Sequence, residues 1–381
     1  MDKQSAPRAL IIGGSLGGLF TAACLRAIGW RVDVFERSPH ALDSRGGGIV
    51  LQPDVVHALH FAGVDSGPTL GVASGDRIFL DRLGEVVQRG YQPQTQTSWN
   101  MLYAATRRTL PEECVHAGES LLRFEQGGGQ VRAEFASGRI ETGDLLVGAD
   151  GARSTVRRQL LPALDPVYAG YVAWRGLVPE AGLAQEHRKL LEGVFAFQHE
   201  GDNMLLEYLV PGEDGSTAPG RRRWNWVWYR KAALEALPDL LTDREGSRRQ
   251  FSVPPGALQD RHAAALRTAA AELLAPPFRA LVEATAEPFM QLILDLAAPR
   301  MAFGRVVLVG DAAFVPRPHT AGSSAKAAAN ALALAQALAR EAEPIEARLR
   351  GWEALQLRAG RQMTDAGRRM GDSIMQLARA G

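Results

Sequence analysis

The amino-acid sequence predicts an α/β fold that carries an inserted, mainly β-sheet region and ends in helices. Three observations lead to this prediction. A strand, a helix and a second strand follow one another within the first 36 residues. Alternating strand patterns fill the region of about 167–289, and the chain after about residue 325 is rich in alanine, then in arginine and glutamine. We interpret the middle region as a second domain inserted into the first.

The first elements form a complete β-α-β unit. Leu10-Ile11-Ile12 is a short apolar run that stops at a glycine cluster, as a buried parallel strand does. From Leu16 to Ala27 the apolar residues recur at helical spacing, and Gly29 takes the usual place of a C-terminal glycine. Val32-Asp33-Val34-Phe35 then predicts the second strand.

Further strands are predicted along the chain. Residues 145–147 and 306–309 are buried-strand candidates that each end in a glycine–aspartate cluster. The run Gly127-Gly128-Gly129 predicts a hairpin turn between strands at 121–124 and 131–135. Strands of the inserted domain are expected at 194–198, 205–209 and 224–229.

Composition limits the classes of partner. The 381 residues carry a net charge of +1, so no overall field would attract nucleic acid or an anionic membrane. The two cysteines, Cys24 and Cys114, have no spacing that suggests a disulfide framework or a metal site. The polar start, Met1 to Arg8, has no signal-peptide pattern, and no stretch is apolar enough to span a membrane. We therefore expect a cytoplasmic protein with a small-molecule partner.

A glycine-rich turn joins the first strand to the first helix. In Gly13-Gly14-Ser15-Leu16-Gly17-Gly18, Gly13 would make the tight turn and Gly18 would let the helix pack on the strand. Backbone N–H groups at such a helix start bind a dinucleotide pyrophosphate, and Glu36 at the end of the second strand would accept from ribose hydroxyls. Ser15 replaces the middle glycine of the usual motif. The alternative is a glycine-rich turn without a ligand.

Two shorter motifs follow the later strands. Residues 148–154 (GADGARS) come after one predicted strand, and Gly310-Asp311-Ala312-Ala313 after another. Asp311 could accept from a ribityl or ribose hydroxyl, while Gly310 permits close approach. Each motif alone could be an ordinary turn.

The three motifs, in this order, resemble those of the class A flavoprotein aromatic hydroxylases, the family of para-hydroxybenzoate hydroxylase. The resemblance extends from Leu10 to about Leu357. Within the family, segments 46–53 (GGGIVLQP), 168–176 (YAGYVAWRG) and 316–326 (PRPHTAGSSAK) look most like those of the 2,6-dihydroxypyridine 3-hydroxylases.

The resemblance implies a Rossmann-like FAD-binding domain and a set of cofactor-binding residues. We divide the chain into a discontinuous FAD-binding domain (1–72, 98–166 and 290–344), a substrate domain (73–97 and 167–289) and C-terminal helices (345–381). The residues expected to bind FAD are Gly13, Gly14, Ser15, Gly18, Glu36, Arg37, Gln52, Tyr103, Leu121, Asp150, Asp311, Gly322, Ser323 and Ser324.

Several positions depart from the family's pattern. Tyr103 lies in the segment where the family often has arginine, Phe314 replaces the histidine that commonly follows GDAA, and Asn330 occupies a usually acidic position. The turn at 322–324 contains less glycine than usual. We interpret these changes as divergence of a subfamily, with FAD binding retained.

The turn at 322–324 suits a reduced flavin, which is an anion at neutral pH. Backbone N–H groups of Gly322, Ser323 and Ser324 at the start of an alanine-rich helix would stabilise that charge. Lys326 lies near the positive end of the same helix. It either faces solvent or supports the anionic flavin.

The catalytic candidates lie in the inserted domain and beside the flavin turn. His319 and Tyr208 are the expected catalytic residues, and Phe195, Phe197 and Trp226 would wall the pocket or belong to the core. The alternation of Trp224, Trp226 and Trp228 could also suggest a flavin halogenase, but no proline follows at the expected place. His57 and His60 are expected on a helix surface.

The resemblance implies hydroxylation of a small electron-rich ring, of the hydroxypyridine or phenol type, through a flavin C4a-hydroperoxide. NADH or NADPH would bind only transiently to deliver hydride to FAD, because the chain has no second dinucleotide motif. The expected partners are the aromatic substrate, O2 and NAD(P)H, without nucleic acid, membrane or metal, and with a homodimer left open. The alternatives are a flavin oxidase, reductase or halogenase on the same scaffold, or a non-catalytic FAD-binding module.

Overall fold

The computed structural model describes residues 6–40, 47–64, 70–340 and 343–377. Residues 1–5 and Gly46, which belong to segments discussed above, lie outside these ranges. Within them, no helix combines the length and the apolar composition that crossing a bilayer requires.

Nineteen strands and ten α-helices alternate along the described chain. The strands are β1 Arg8–Ile12, β2 Arg31–Glu36, β3 Gly48–Val50, β4 Val72–Leu80, β5 Val86–Ser98, β6 Val115–Ala117, β7 Leu121–Gly127, β8 Gln130–Phe135, β9 Ile140–Gly143, β10 Leu145–Gly148, β11 Val167–Pro179, β12 Val194–Glu200, β13 Asn203–Val210, β14 Arg223–Lys231, β15 Ser252–Val253, β16 Phe289–Ala297, β17 Ala302–Phe303, β18 Val306–Leu308 and β19 Phe314–Val315. The helices are α1 Leu16–Ala27, α2 Pro53–Phe61, α3 Trp99–Arg107, α4 Thr155–Leu160, α5 Gln185–Leu191, α6 Leu237–Leu240, α7 Asp260–Leu273, α8 Pro276–Ala284, α9 Ser323–Leu338 and α10 Ile345–Ile374.

The first sheet confirms the predicted β-α-β unit. Its six strands lie in the order β17-β18-β10-β1-β2-β6, and every neighbouring pair except β17–β18 is parallel. β1, β10 and β18 are almost wholly buried, because helices such as α1 and α9 cover a parallel sheet. Helix α1 ends at Ala27, and Gly29 follows it with a φ of +87°.

The second sheet is larger and mostly antiparallel. Its main path runs β15-β16-β11-β14-β13-β12-β4-β5-β3, with β19 paired to β16. One face packs on α7 and α8, where Trp224, Trp226 and Trp228 are fully buried. Their indole N–H groups donate to Glu180, Thr285 and Asn203, respectively. The three tryptophans are therefore core residues, and Trp226 does not wall the pocket, because it lies on the opposite face of the sheet from Tyr208.

The remaining elements match the predictions for the hairpin and the C-terminal region. β7, β8 and β9 form a three-stranded sheet, whose first hairpin turns at Gly128 and Gly129, both with positive φ. Helices α9 and α10 occupy the alanine-rich and arginine-rich regions. His57 and His60 are exposed on α2, as expected.

Candidate functional site

The turn between β1 and α1 leaves no room for larger residues. A β-carbon at Gly13 would lie 2.5 Å from the Ala149 carbonyl oxygen, and one at Gly18 would lie 1.9 Å from that of Gly13. Ser15 precedes α1, and its side chain makes no capping hydrogen bond, so its hydroxyl can serve a ligand. Ser15 lines two neighbouring cavities. This cradle fits a pyrophosphate at a helix N-terminus.

Glu36 lies at the wall of the smaller cavity, which has a volume of about 330 Å³. Its Oε2 accepts from the Gly14 N–H at 2.8 Å, and its Oε1 accepts from the Ser38 N–H at 2.9 Å. A carboxylate has about four acceptor sites, so capacity remains for ribose hydroxyls. Arg37, Leu121 and Asp150 line the same cavity.

Asp150 lies in the motif at 148–154, beside the smaller cavity. Its Oδ2 accepts from the Thr155 N–H at 2.6 Å, whereas its Oδ1 is buried without a hydrogen-bond partner among the described residues. Burial raises the pKa of Asp150, although hydrogen bonds to the carboxylate oppose this shift. Arg157 donates to the carbonyl oxygens of Ala152 and Ala312, and it thereby ties the two motifs together. An orphaned acceptor in a nucleotide-sized cavity fits a hydroxylated ligand.

The Lys326 ammonium contacts Asp311 rather than solvent. Its Nζ donates to Asp311 Oδ1 at 2.8 Å and to the Phe314 carbonyl oxygen, and the residue is only 4% exposed. The alternative in which Lys326 faces solvent is therefore wrong, because a carboxylate fifteen positions earlier in the chain supplies its counterion. Burial lowers the pKa of Lys326, and Asp311 partly offsets this effect. The Ser323 hydroxyl also donates to Asp311 Oδ1, at 2.8 Å.

The start of α9 offers fewer free donors than its sequence suggests. The Gly322 N–H donates to the Thr320 hydroxyl at 3.2 Å. The N–H groups of Ser323, Ser324 and Ala325 have no intrahelical partner, and the two serines are the ones that line the larger cavity. Gly322, Ser323, Ser324 and Asp311 all line the larger cavity, whose volume is about 740 Å³.

The larger cavity extends from these donors to the second sheet. Tyr208, Phe195 and Phe197 form part of its wall, as the sequence analysis allowed, and Gln52 lines it too. A β-carbon at Gly48 would lie 2.5 Å from the Tyr208 ring, so the backbone passes close to that side chain. Burial raises the pKa of Tyr208 to about 12, and the phenol is therefore neutral at pH 7.

His319 also lines this cavity and is held by a tyrosine. Its Nε2 lies 2.9 Å from the Tyr171 hydroxyl, and its Nδ1 is buried without a partner among the described residues. Burial, assisted by the nearby Arg317, lowers the pKa of His319 to about 4. The imidazole is neutral at pH 7. It can therefore hold one proton on either nitrogen and accept a hydrogen bond at the other.

Other predicted cofactor residues lie further from the cavities. Tyr103 stacks on Trp99, with 4.8 Å between the ring centroids, and only Trp99 lines the larger cavity. Gly14 contributes its N–H to Glu36, and Gly18 allows α1 to pack against Gly13. The role of Asn330 is structural, since its Oδ1 accepts from the Gly310 N–H at 3.0 Å.

Several cavity residues have no sequence motif of their own. Arg77, Tyr229 and Gln291 come from three different strands of the second sheet, and Tyr171 reaches the site only through His319. Arg175 lies in the segment 168–176 and donates to Gln291 at 2.9 Å. Strand alternation would place these side chains on one face of the sheet, but it could not bring the strands together.

Comparisons with known proteins agree with a flavin site. A family model described as FAD binding domain-like matches residues 168–295. The chain is 35% identical over 355 residues to 2,6-dihydroxypyridine 3-monooxygenase of Paenarthrobacter nicotinovorans, a match that covers 93% of this chain and 88% of the relative. It is 27% identical to 6-hydroxynicotinate 3-monooxygenase of Bordetella bronchiseptica, over 87% of this chain and 82% of that relative. The solved structure of 2,6-dihydroxypyridine-3-hydroxylase from Arthrobacter nicotinovorans superposes with a TM-score of 0.92 at 32% identity, covering 98% of this chain and 94% of that one.

Proposed function

The chain belongs to the class A FAD-dependent aromatic hydroxylases, and from this premise we propose that its substrate is a hydroxylated pyridine whose ring contacts His319 and Tyr208. The enzyme is a flavoprotein monooxygenase that uses reduced nicotinamide and O2 to hydroxylate an aromatic ring. FAD is its cofactor. Two relatives described above, of Paenarthrobacter nicotinovorans and Bordetella bronchiseptica, act by their names on hydroxylated pyridines.

The observation that carries the proposal is the continuity of one cavity. Ser15, Asp311 and Ser323 line it on the side of the first sheet, and Tyr208 and His319 line it beside the second. A dinucleotide held by the first group would bring its ring system next to a substrate held by the second. When bound, FAD supplies the electron-transfer chemistry and the activation of O2.

We propose that Gly13, Gly14, Ser15 and Gly18 form the pyrophosphate cradle and that Glu36, Arg37, Leu121 and Asp150 surround the adenosine half. Asp311 would accept from the ribityl chain, and the N–H groups of Ser323 and Ser324 would face the ring system, near Gln52. Tyr103 would support the site through Trp99. The support for this assignment is the cradle that excludes a β-carbon, together with the orphaned Asp150 Oδ1.

In the substrate region, His319 would accept a hydrogen bond from a ring hydroxyl. If its Nε2–H donates to the Tyr171 hydroxyl oxygen, the free lone pair lies on Nδ1, the atom left without a partner. A hydrogen bond from the ring hydroxyl to Nδ1 raises the electron density on the hydroxyl oxygen, and this makes the ring more reactive toward electrophilic oxygen. The aromatic wall formed by Phe195, Phe197 and Tyr208 would exclude water.

The test is anaerobic stopped-flow reduction of the holoenzyme by NADH and by NADPH, with and without a panel of hydroxypyridines and hydroxybenzoates. We expect a hydroxypyridine to accelerate reduction strongly, and aeration under 18O2 to give a product with one labelled oxygen. Equal reduction rates in the absence of any ring, or an unlabelled product, would contradict the proposal. Covalently bound flavin, or FMN in place of FAD, would contradict the pyrophosphate cradle.

We further infer that the protein works in the cytoplasm, and its assembly as a monomer or a homodimer is left open. Cys24 and Cys114 are free thiols, which a reducing compartment maintains. Cell fractionation would test the location, and light scattering on the purified holoenzyme would test the assembly.

A further inference from the structure

Arg77 introduces a positive charge into the wall of the larger cavity. It lies on β4, directly beside Phe195 of the neighbouring β12. Its guanidinium carbon is 5.4 Å from the ring centroid of Phe195 and 5.2 Å from that of Phe197. The two phenyl rings therefore hold the guanidinium in place, at the edge of the region assigned to the substrate.

No carboxylate of the described residues pairs with this charge. The Arg77 guanidinium makes no ion pair or hydrogen bond with any residue that the structure describes, and its Nε is buried without a partner. Two buried arginines pair with carboxylates, Arg222 with Glu180 and Arg317 with Asp295, whereas the buried Arg157 donates to backbone carbonyl oxygens. Burial lowers the pKa of Arg77, and no acidic neighbour raises it.

The acidic and basic residues of the cavity wall are unequal in number. Asp311 is the one carboxylate among the described lining residues, and Lys326 already neutralises it. Arg77 and Arg175 both contribute positive charge. Arg175 is hydrogen-bonded to Gln291, whereas the guanidinium of Arg77 has no acceptor among the described residues. A partly buried cation without a counterion is costly unless a ligand supplies the anion.

The position of Arg77 suits a substituent on the substrate ring. Phe195 contacts Tyr208 edge-on, with 4.8 Å between their ring centroids. The Arg77 guanidinium lies over the same Phe195 ring. A ring that lies beside Tyr208 therefore shares the Phe195 side of the cavity with the guanidinium. A planar guanidinium recognises a carboxylate through two parallel hydrogen bonds.

We propose that Arg77 is a specificity-determining residue that binds a carboxylate on the aromatic substrate, so that the enzyme prefers a carboxylated hydroxypyridine to the bare ring. This inference rests on the proposed function, since it assigns a chemical class to the substrate of the same site. The shared chemistry, an anionic oxygen group, could also come from a phosphate of the nicotinamide nucleotide.

The experiment compares rings that differ only in the carboxylate. The holoenzyme is titrated with 2,6-dihydroxypyridine and with its 3- and 4-carboxylates, without NAD(P)H, and binding is followed by the change in flavin absorbance. We expect at least one carboxylate to bind about tenfold or more tightly than the bare ring, as one charge-assisted hydrogen bond would give. In Arg77→Gln that preference should disappear, while Arg77→Lys should retain part of it.

Arg230→Gln is the matched control. Arg230 also lies over an aromatic ring of the same sheet, 4.8 Å from the centroid of Trp228, but it is not among the residues that line the cavity. This variant should keep the wild-type preference. The melting temperature and the flavin content of each variant show whether it is folded. If Arg77→Gln does not fold, Arg77→Lys still tests the inference.

Two results would overturn the inference. The first is that neither carboxylate binds to the wild type more tightly than the bare ring does. The second is that Arg77→Gln keeps the preference for the carboxylate and instead raises the KM for NADPH. The proposed function is judged separately, by labelled product. Binding of a carboxylate through Arg77 without hydroxylation of any ring would defeat the proposed function alone, and hydroxylation without a carboxylate preference would defeat only the present inference.

Discussion

Replacement of Glu36 by glutamine tests the adenosine end of the site most directly. The carboxylate already accepts from two backbone N–H groups, at 2.8 and 2.9 Å, and it would use its remaining lone pairs for the ribose of FAD. A glutamine has one acceptor oxygen in place of two, so it cannot accept from Gly14 and Ser38 through separate oxygens and also serve the ribose fully.

The magnitude follows from these contacts. Each charge-assisted hydrogen bond contributes about 1.5–3 kcal/mol, so the loss of one should weaken FAD binding by roughly tenfold to a hundredfold. Glu36→Ala should weaken binding further. It also leaves two N–H groups without their acceptor, which we expect to lower the unfolding free energy of the apoprotein by about 1–3 kcal/mol for each buried donor.

The assay is titration of the apoprotein with FAD, followed by quenching of flavin fluorescence, together with urea unfolding of the apoprotein. Glu125→Ala is the control, because Glu125 is exposed on β7 and lies outside both cavities. An FAD affinity that is unchanged in Glu36→Gln, with normal apoprotein stability, would refute the assignment of Glu36 to the ribose.

Three further predictions concern packing and charge. The pKa of His319 is lowered from 6.5 to about 4, so between these pH values the unfolded chain binds the proton more readily than the folded protein does. The unfolding free energy should therefore fall as the pH drops through this window, by about 2 kcal/mol at pH 5. In His319→Asn, urea unfolding at pH 7 and pH 5 should show a smaller loss of unfolding free energy than in the wild type. Asp311→Asn leaves the buried Lys326 without its counterion and should lower the unfolding free energy of the apoprotein by about 3 kcal/mol, whereas Lys326→Met should lower it by less. Equal decreases in melting temperature for the two variants would contradict the role of the ion pair. Gly18→Ala places a β-carbon 1.9 Å from the Gly13 carbonyl oxygen and should abolish FAD retention on gel filtration, whereas Gly127→Ala, with open space around it, should leave retention unchanged.

The cofactor motifs could be recognised in the sequence because they are local. Gly13, Gly18 and Glu36 lie within one β-α-β unit, where strand and helix periodicity place each residue relative to its neighbours. The same reasoning placed Gly29 after α1 and the hairpin turn at Gly128 and Gly129. The residue roles and the domain limits stay predictions, and the experiments above address the roles.

The substrate wall was less accessible to such reasoning. Tyr208, Phe195 and Phe197 were identified as candidates, but Trp226, which has the same aromatic character, lies on the other face of the sheet. Of the two alternatives for Lys326, the solvent-facing one is wrong, because a separate strand and turn bring Asp311 within 2.8 Å of its ammonium.

By itself, the sequence determined the α/β fold class, the dinucleotide cradle and the family resemblance, because backbone periodicity and glycine sterics act over a few neighbouring residues. Only the tertiary structure decided that Arg77, Tyr229 and His319 meet around one cavity and that Tyr171 contacts His319. These residues lie on strands and a turn that are distant in the chain, and their meeting depends on the pairing and register of the second sheet. Register is set by long-range contacts, and no short segment of the sequence contains that information.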